Sequence, residues 1–236
     1  MIMFRGMLTD TQMAMCDSAP LVRLMTMLSP TFPVGAFSFS SGLEQAAAAG
    51  LVRDETSLRE WLHDVLHAGT LWNDAVLLAE GWRQAGAGEI NELPQVNELA
   101  LALAGSAGRF TETTAQGAAF AEALKSWPES ERIACPPETP LPVIVGAACQ
   151  AGGIALEDGL SGFLQAFVSN QLQAAIRLSV IGQTGAARLL AKLEPMLVKA
   201  AGDADGATLD HLGSATVMAE IASMNHETLD GRLFRS

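Results

Sequence analysis

Apolar residues recur along this chain three and four positions apart, the period of helices that pack on one side. Leu21, Val22, Leu24, Met25 and Leu28 predict a first helix, opening at Asp17 or Ser18, whose side chains can accept from the free N–H groups of a helix start. It stops at Ser29-Pro30, because a proline ring crowds the residue before it out of helical geometry. A helix from about Gly42 to Ala49 follows, with Gly50 as its C-terminal cap. Asp54-Glu55-Thr56-Ser57 then opens an amphipathic helix to about Ala68, its acidic residues facing the positive end of the helix dipole. Further helical windows span about 70–85, 95–105, 107–126, 141–151, 157–182, 185–201 and 207–226. Glycines and prolines break them, and the proline-rich stretch from Trp127 to Pro142 reads as an exposed loop. Strand alternation never lasts more than a few residues, and no repeat is evident. The expectation is an all-α fold: a single domain of about nine to ten packed helices over residues 17–226, after a disordered leader (1–16) and before a C-terminal docking tail (227–236).

Composition agrees. Almost half the residues are hydrophobic, Ala, Leu and Met are abundant and Tyr is absent; such residues lose little entropy in a helix, whereas strands favour β-branched and aromatic ones. A chain of 236 residues buries roughly 70% of its unfolded surface and needs no disulfide or metal to fold. The net charge of −12 argues against nucleic acid and anionic membranes as partners, both of which need clustered Lys and Arg. No apolar run reaches the roughly 20 residues of a membrane span, and Met1–Met15 does not read as a signal peptide. Cys16, Cys135 and Cys149 form no CxxC pair and read as free thiols of a reducing cytosol. A cytoplasmic protein is expected.

Candidate chemistry changes this picture little. His63-Asp64-Val65-Leu66-His67 imitates the zinc-protease pattern HExxH. On a helix, however, Leu58, Trp61, Leu62, Val65 and Leu66 share one face and the two His project from the other. A catalytic metal needs a desolvated cleft and a further ligand, and Asp64 is one carbon shorter than the Glu of that mechanism. The preferred reading is a solvated pair that chelates added metal weakly; a metalloenzyme using His63 and His67 is the alternative function. No P-loop and no GxSxG elbow occurs. No catalytic, cofactor-binding or metal residue is therefore assigned, and the protein is expected not to be an enzyme.

Three features point to protein partners instead. Pro33–Gly42 is uncharged and carries Phe37 and Phe39, which either tuck into the core or form an apolar patch. Asn170, Gln173 and Arg177 share a stripe at helical spacing that reads as a solvated face, and Arg177 needs a carboxylate or carbonyl partner if buried. The chain closes on Arg232-Leu233-Phe234-Arg235-Ser236. Two Arg bracketing Leu-Phe suit a docking peptide, with Arg for charge-assisted contacts and Phe as anchor.

The run from Leu28 through Pro33, Gly35, Phe37, Phe39 and Glu44 resembles the urease accessory protein UreF family. So do Arg177 through Gly185, and Met224-Asn225-His226-Glu227 running into Arg232–Ser236. Asp74, and Glu112 with Gln116-Gly117, also sit where the family has similar residues. The resemblance spans about residue 20 to the end; Phe39 departs from it, since family members often carry Tyr there. It implies an all-α homodimer, a non-catalytic scaffold and chaperone that binds UreD/UreH and the GTPase UreG and takes part in nickel insertion into apo-urease. It further implies partner contacts through Pro33, Gly35, Phe37, Phe39, Glu44 and Arg177, and through His226, Glu227, Arg232, Leu233, Phe234, Arg235 and Ser236. The last helix and tail would dock on UreD/UreH, and the Pro33–Glu44 region would face the second protomer or the GTPase.

Overall fold

The computed structural model describes residues 18–87, 93–133, 136 and 138–236; the expected leader lies outside them. Among the described residues there are ten α-helices and no strand. Helix α1 (Ala19–Met27) carries Pro20 in its first turn, where its missing N–H costs nothing. It buries Leu24 and Met27 and leaves Leu21, Val22 and Met25 exposed. The short α2 (Leu43–Ala48) carries Glu44 in its first turn. In α3 (Glu55–Ala68) the Asp54 carboxylate accepts from the Ser57 N–H and the Ser57 hydroxyl oxygen from the Asp54 N–H, a reciprocal cap. Leu58, Leu62, Val65 and Leu66 face inward from α3.

The centre is the crossing of α4 (Thr70–Ala87) and α7 (Leu141–Ala151). Pro142 through Cys149 are all buried, as expected of a helix that is apolar all round. Two glycines permit the approach: a Cβ at Gly81 would press on the Val143 carbonyl and one at Gly146 on the Leu78 carbonyl. Burial pushes the Cys149 thiol up to about 12, so it stays protonated. Around this pair lie α5 (Leu93–Ala102), α6 (Ala107–Leu124), α8 (Leu156–Arg177) and α9 (Gln183–Asp205). Helix α9 tolerates Pro195 in its interior because Leu189, Leu193, Leu197, Ala200 and Ala204 anchor both halves in the core. The last helix, α10 (Val217–Asn225), packs on α2.

Three sequence windows end elsewhere than expected. The one over 157–182 stops at Arg177, because Ser179 turns into the left-handed region (φ 60°), and Gly182 caps the next helix instead of ending this one. The one over 207–226 is helical only from Val217, after a 3-10 turn at Leu209–His211. There the Ala215 N–H donates to the Ala68 carbonyl (2.7 Å) and the Gly213 N–H to Asn73 Oδ1 (2.9 Å). Those bonds compete with helical ones. The Trp127–Pro142 stretch holds a 3-10 turn at Pro128–Arg132, and Thr139 and Pro140 are buried rather than exposed.

Candidate functional site

The residues singled out at either end of the chain meet in space. Gly42 caps α2 with a left-handed φ of 82°, and its absent side chain lets the Ser223 backbone of α10 approach: a Cβ would lie 3.0 Å from Ser223 N. This crossing sets Glu44 opposite His226. Glu44, a residue 5% exposed, accepts three hydrogen bonds through its carboxylate, from His226 Nε2 (2.8 Å), the Leu233 N–H (2.7 Å) and the Phe234 N–H (3.1 Å). One buried carboxylate thus gathers α2, the turn after α10 and the tail.

The tail then runs alongside residues 38–40. Arg235 N–H donates to the Ser38 carbonyl (2.8 Å) and Ser40 N–H to the Ser236 main-chain oxygen (3.0 Å), which the Ser40 hydroxyl also contacts. Side chains alternate between outward and inward along its last four residues. Phe234 (4% exposed) and Ser236 point inward, whereas Leu233 (59% exposed) and Arg235 point outward. The Arg177 guanidinium lies 4.1 Å from the Phe234 ring centre and donates to the Phe37 carbonyl (2.5 Å), so its partner is a carbonyl, reached from an exposed position. Asn170 donates to the Phe39 carbonyl (3.3 Å) and Arg235 stacks over the Phe39 ring at 5.2 Å. The stripe on α8 therefore clamps the 37–39 backbone.

Beneath the tail lies a chain of buried charges. Ser236 and Ser41 donate from their hydroxyls to the two Glu112 oxygens (2.8 and 2.7 Å), and Arg109 on α6 bridges Glu112 (3.6 Å) and both oxygens of Asp74 on α4. Burial pushes the Asp74 carboxyl up from its ordinary range, and the Arg109 charge works against that shift. Asp74, Arg109 and Glu112 also line a largely apolar cleft of about 480 Å³, together with Phe32, Phe37, Phe120 and Phe163.

The site residues named from sequence divide by position. Phe39, Glu44, His226, Phe234 and Ser236 are buried inside their own chain. Phe37 is 70% exposed, so the two aromatics of the uncharged segment split, one into the core and one outward. Pro33 is exposed, and Gly35 supplies the left-handed φ of 70° that opens the 3-10 turn Ala36–Ser38. Glu227 accepts from the Ala107 N–H (2.9 Å) at the start of α6, where a negative charge suits the helix dipole. Arg232 is exposed, with no ion-pair partner among the described residues. Arg109, Ser40 and Ser41 were missed as site residues; the only signal for Arg109 was its i,i+3 spacing to Glu112.

His63 and His67 sit apart from this site, on the outer face of α3. Their rings are 4.5 Å apart, and among the described residues no group of three or more His, Cys, Asp and Glu is placed to hold a metal. Burial, and then the neighbouring His63, lowers the pKa of His67.

One further surface stands out. Val217, Met218, Ile221 and Met224 are all exposed on α10, at i, i+1, i+4 and i+7. They form one apolar face.

A profile of the UreF family matches residues 52–194, more than half of the chain. The chain is 50% identical over 221 residues to the urease accessory protein UreF of Mesorhizobium japonicum, covering 93% of this chain and 98% of that relative. It is 50% identical over 216 residues to the urease accessory protein UreF 1 of Brucella canis, covering 92% and 94%. With that of Brucella anthropi it shares 48% over 228 residues, covering 97% and 96%. An all-α fold, motifs running in order from Leu28 to Ser236 and this degree of identity lead to one conclusion: the chain belongs to the UreF family of urease accessory proteins.

Proposed function

We propose that this protein is a non-catalytic scaffold and chaperone of the cytoplasm that links UreD/UreH and the GTPase UreG for nickel insertion into apo-urease. Family membership supports the urease-maturation role. The observation that carries the scaffold reading is the exposed apolar face of α10, which Leu233 adjoins in the chain as an exposed residue of the tail. Apolar residues at this spacing on a solvent-facing helix are the pattern of a helix that docks in a partner's groove. We assign it to UreD/UreH. In this reading the outward anchor of the tail is Leu233, flanked by Arg232 and Arg235, while Phe234 holds the tail in shape. Phe37 and Pro33, exposed beside the cleft, supply a second contact region. Leu21, Val22 and Met25 on α1 are exposed and apolar, and support self-association into a homodimer. The net charge of −12 suits basic partner surfaces and faster encounter at low salt. No helix among the described residues is long and apolar enough to cross a membrane.

The test is co-purification of UreD/UreH with an Ile221→Asp/Leu233→Asp variant. Both positions are exposed, so the variant is expected to melt like the parent while losing UreD/UreH. Full recovery of UreD/UreH with that variant overturns the assignment. Truncating residues 232–236 is a poorer test, because it also removes the buried Phe234 and Ser236.

A further inference from the structure

The two histidines on α3 take no part in the tail site, yet they are the imidazoles of this chain best placed to bind a ligand. His226 is buried and committed to Glu44. The Nδ1 of His211 accepts from the Thr208 N–H at 3.1 Å. His63 and His67 stand one turn apart on the same helix face, with ring centres 4.5 Å apart. The Nδ1 of His63 faces Asp64 Oδ1 at 3.2 Å. A carboxylate behind an imidazole fixes its tautomer and leaves Nε2 with its lone pair facing outward. The His67 ring, partly buried, makes no hydrogen bond to any described residue, so neither of its nitrogens is committed to a partner.

We infer that His63 and His67 form a two-imidazole capture site for a divalent first-row transition metal ion, open to water at its remaining positions. Metal–nitrogen bonds of about 2.0–2.1 Å bring two ligands on one ion to about 3 Å apart, a spacing that side chains one helical turn apart reach by rotamer adjustment. No third His, Cys, Asp or Glu closes the site among the described residues. The ion is therefore held by two protein ligands and exchanges readily, as suits capture and hand-over rather than structure or catalysis. Neutral imidazole selects the ion: Cu²⁺ binds more tightly than Ni²⁺ or Zn²⁺, and Mg²⁺, which prefers oxygen ligands, does not bind. Near the pair, on α9, Lys199 is bound to Asp203 at 2.5 Å, and that carboxylate offsets part of the ammonium's repulsion.

The experiment is calorimetric titration of the untagged full-length chain with CuCl₂, NiCl₂, ZnCl₂ and MgCl₂ at neutral pH. The expected result is one Cu²⁺ site per chain that is lost in the His63→Ala/His67→Ala double variant, with weaker Ni²⁺ and Zn²⁺ binding lost alongside it. His63→Ala alone is expected to weaken binding at least about tenfold. The His63 side chain is 56% exposed, so this variant folds, and an unchanged thermal melt verifies it. His211→Ala is expected to leave binding intact. Metal bound equally well by the double variant, or no binding of Cu²⁺ beyond that of Mg²⁺, overturns the proposal.

Discussion

At the crossing of α4 and α7, Gly81 and Gly146 bring two backbones together among apolar neighbours, whereas around Glu44 the groups brought together are a carboxylate, an imidazole and main-chain N–H groups. The first junction depends on shape, since dispersion and burial have no direction and respond mainly to volume. The second depends on every donor finding its acceptor, because an unmet polar group inside a protein costs far more than a met one contributes. A chain can thus build its centre from small and apolar residues while its tail is fixed by a few exact polar matches. Those matches lie beside exposed apolar surface on α10 and at Phe37, where partners are proposed to bind.

The contrast can be broken most severely at Arg109. Arg109→Met leaves Asp74 and Glu112 buried without their cation, and is expected to cost about 3–5 kcal/mol in urea or thermal unfolding. Glu44→Ala strands the buried His226 nitrogen and two main-chain N–H groups. A loss of about 2–4 kcal/mol is expected, together with faster amide exchange at Leu233 and Phe234. At the apolar junction, Gly146→Ala forces α7 away from α4 and is expected to cost about 1–3 kcal/mol, with amide exchange accelerated in both helices and the tail amides less affected. Gln171 sharpens the rule from the other side. It is 1% exposed and neither amide atom has a partner among the described residues, so Gln171→Leu is expected to raise stability by about 1 kcal/mol. Leu233→Ala, in the same tail as the buried Phe234 but facing outward, is expected to change stability by less than about 0.5 kcal/mol.

Much of the fold was legible because helical periodicity is local: α3 was readable from Asp54 and Ser57 at its start and from Leu58, Leu62 and Leu66 along its face. Where the reading slipped, contacts distant in sequence had intervened. The window over 207–226 lost its first half because Ala68 and Asn73 supply hydrogen bonds to the link before α10. For the candidate site, the motifs at Pro33–Glu44, Arg177 and His226–Ser236 marked segments that the fold brings together. What they do to one another was not legible. The segment Arg232–Ser236 reads as a docking peptide in isolation, and nothing local says that Phe234 turns inward and Leu233 outward. Arg109 gave almost no signal, because Asp74, the carboxylate it contacts most closely, lies on a different helix.

The sequence by itself determined that the chain is helical, acidic, without a recognisable catalytic motif and of the UreF type, since propensity, charge and motif order are properties of the chain alone. Only the tertiary structure decided that Glu44 gathers the tail, that Asp74, Arg109 and Glu112 lie beneath it, and that α10 keeps an apolar face in solvent. Those outcomes depend on which side chains are brought together across as many as 190 positions of sequence, and on the high cost of leaving a buried charge or donor unmatched once they arrive.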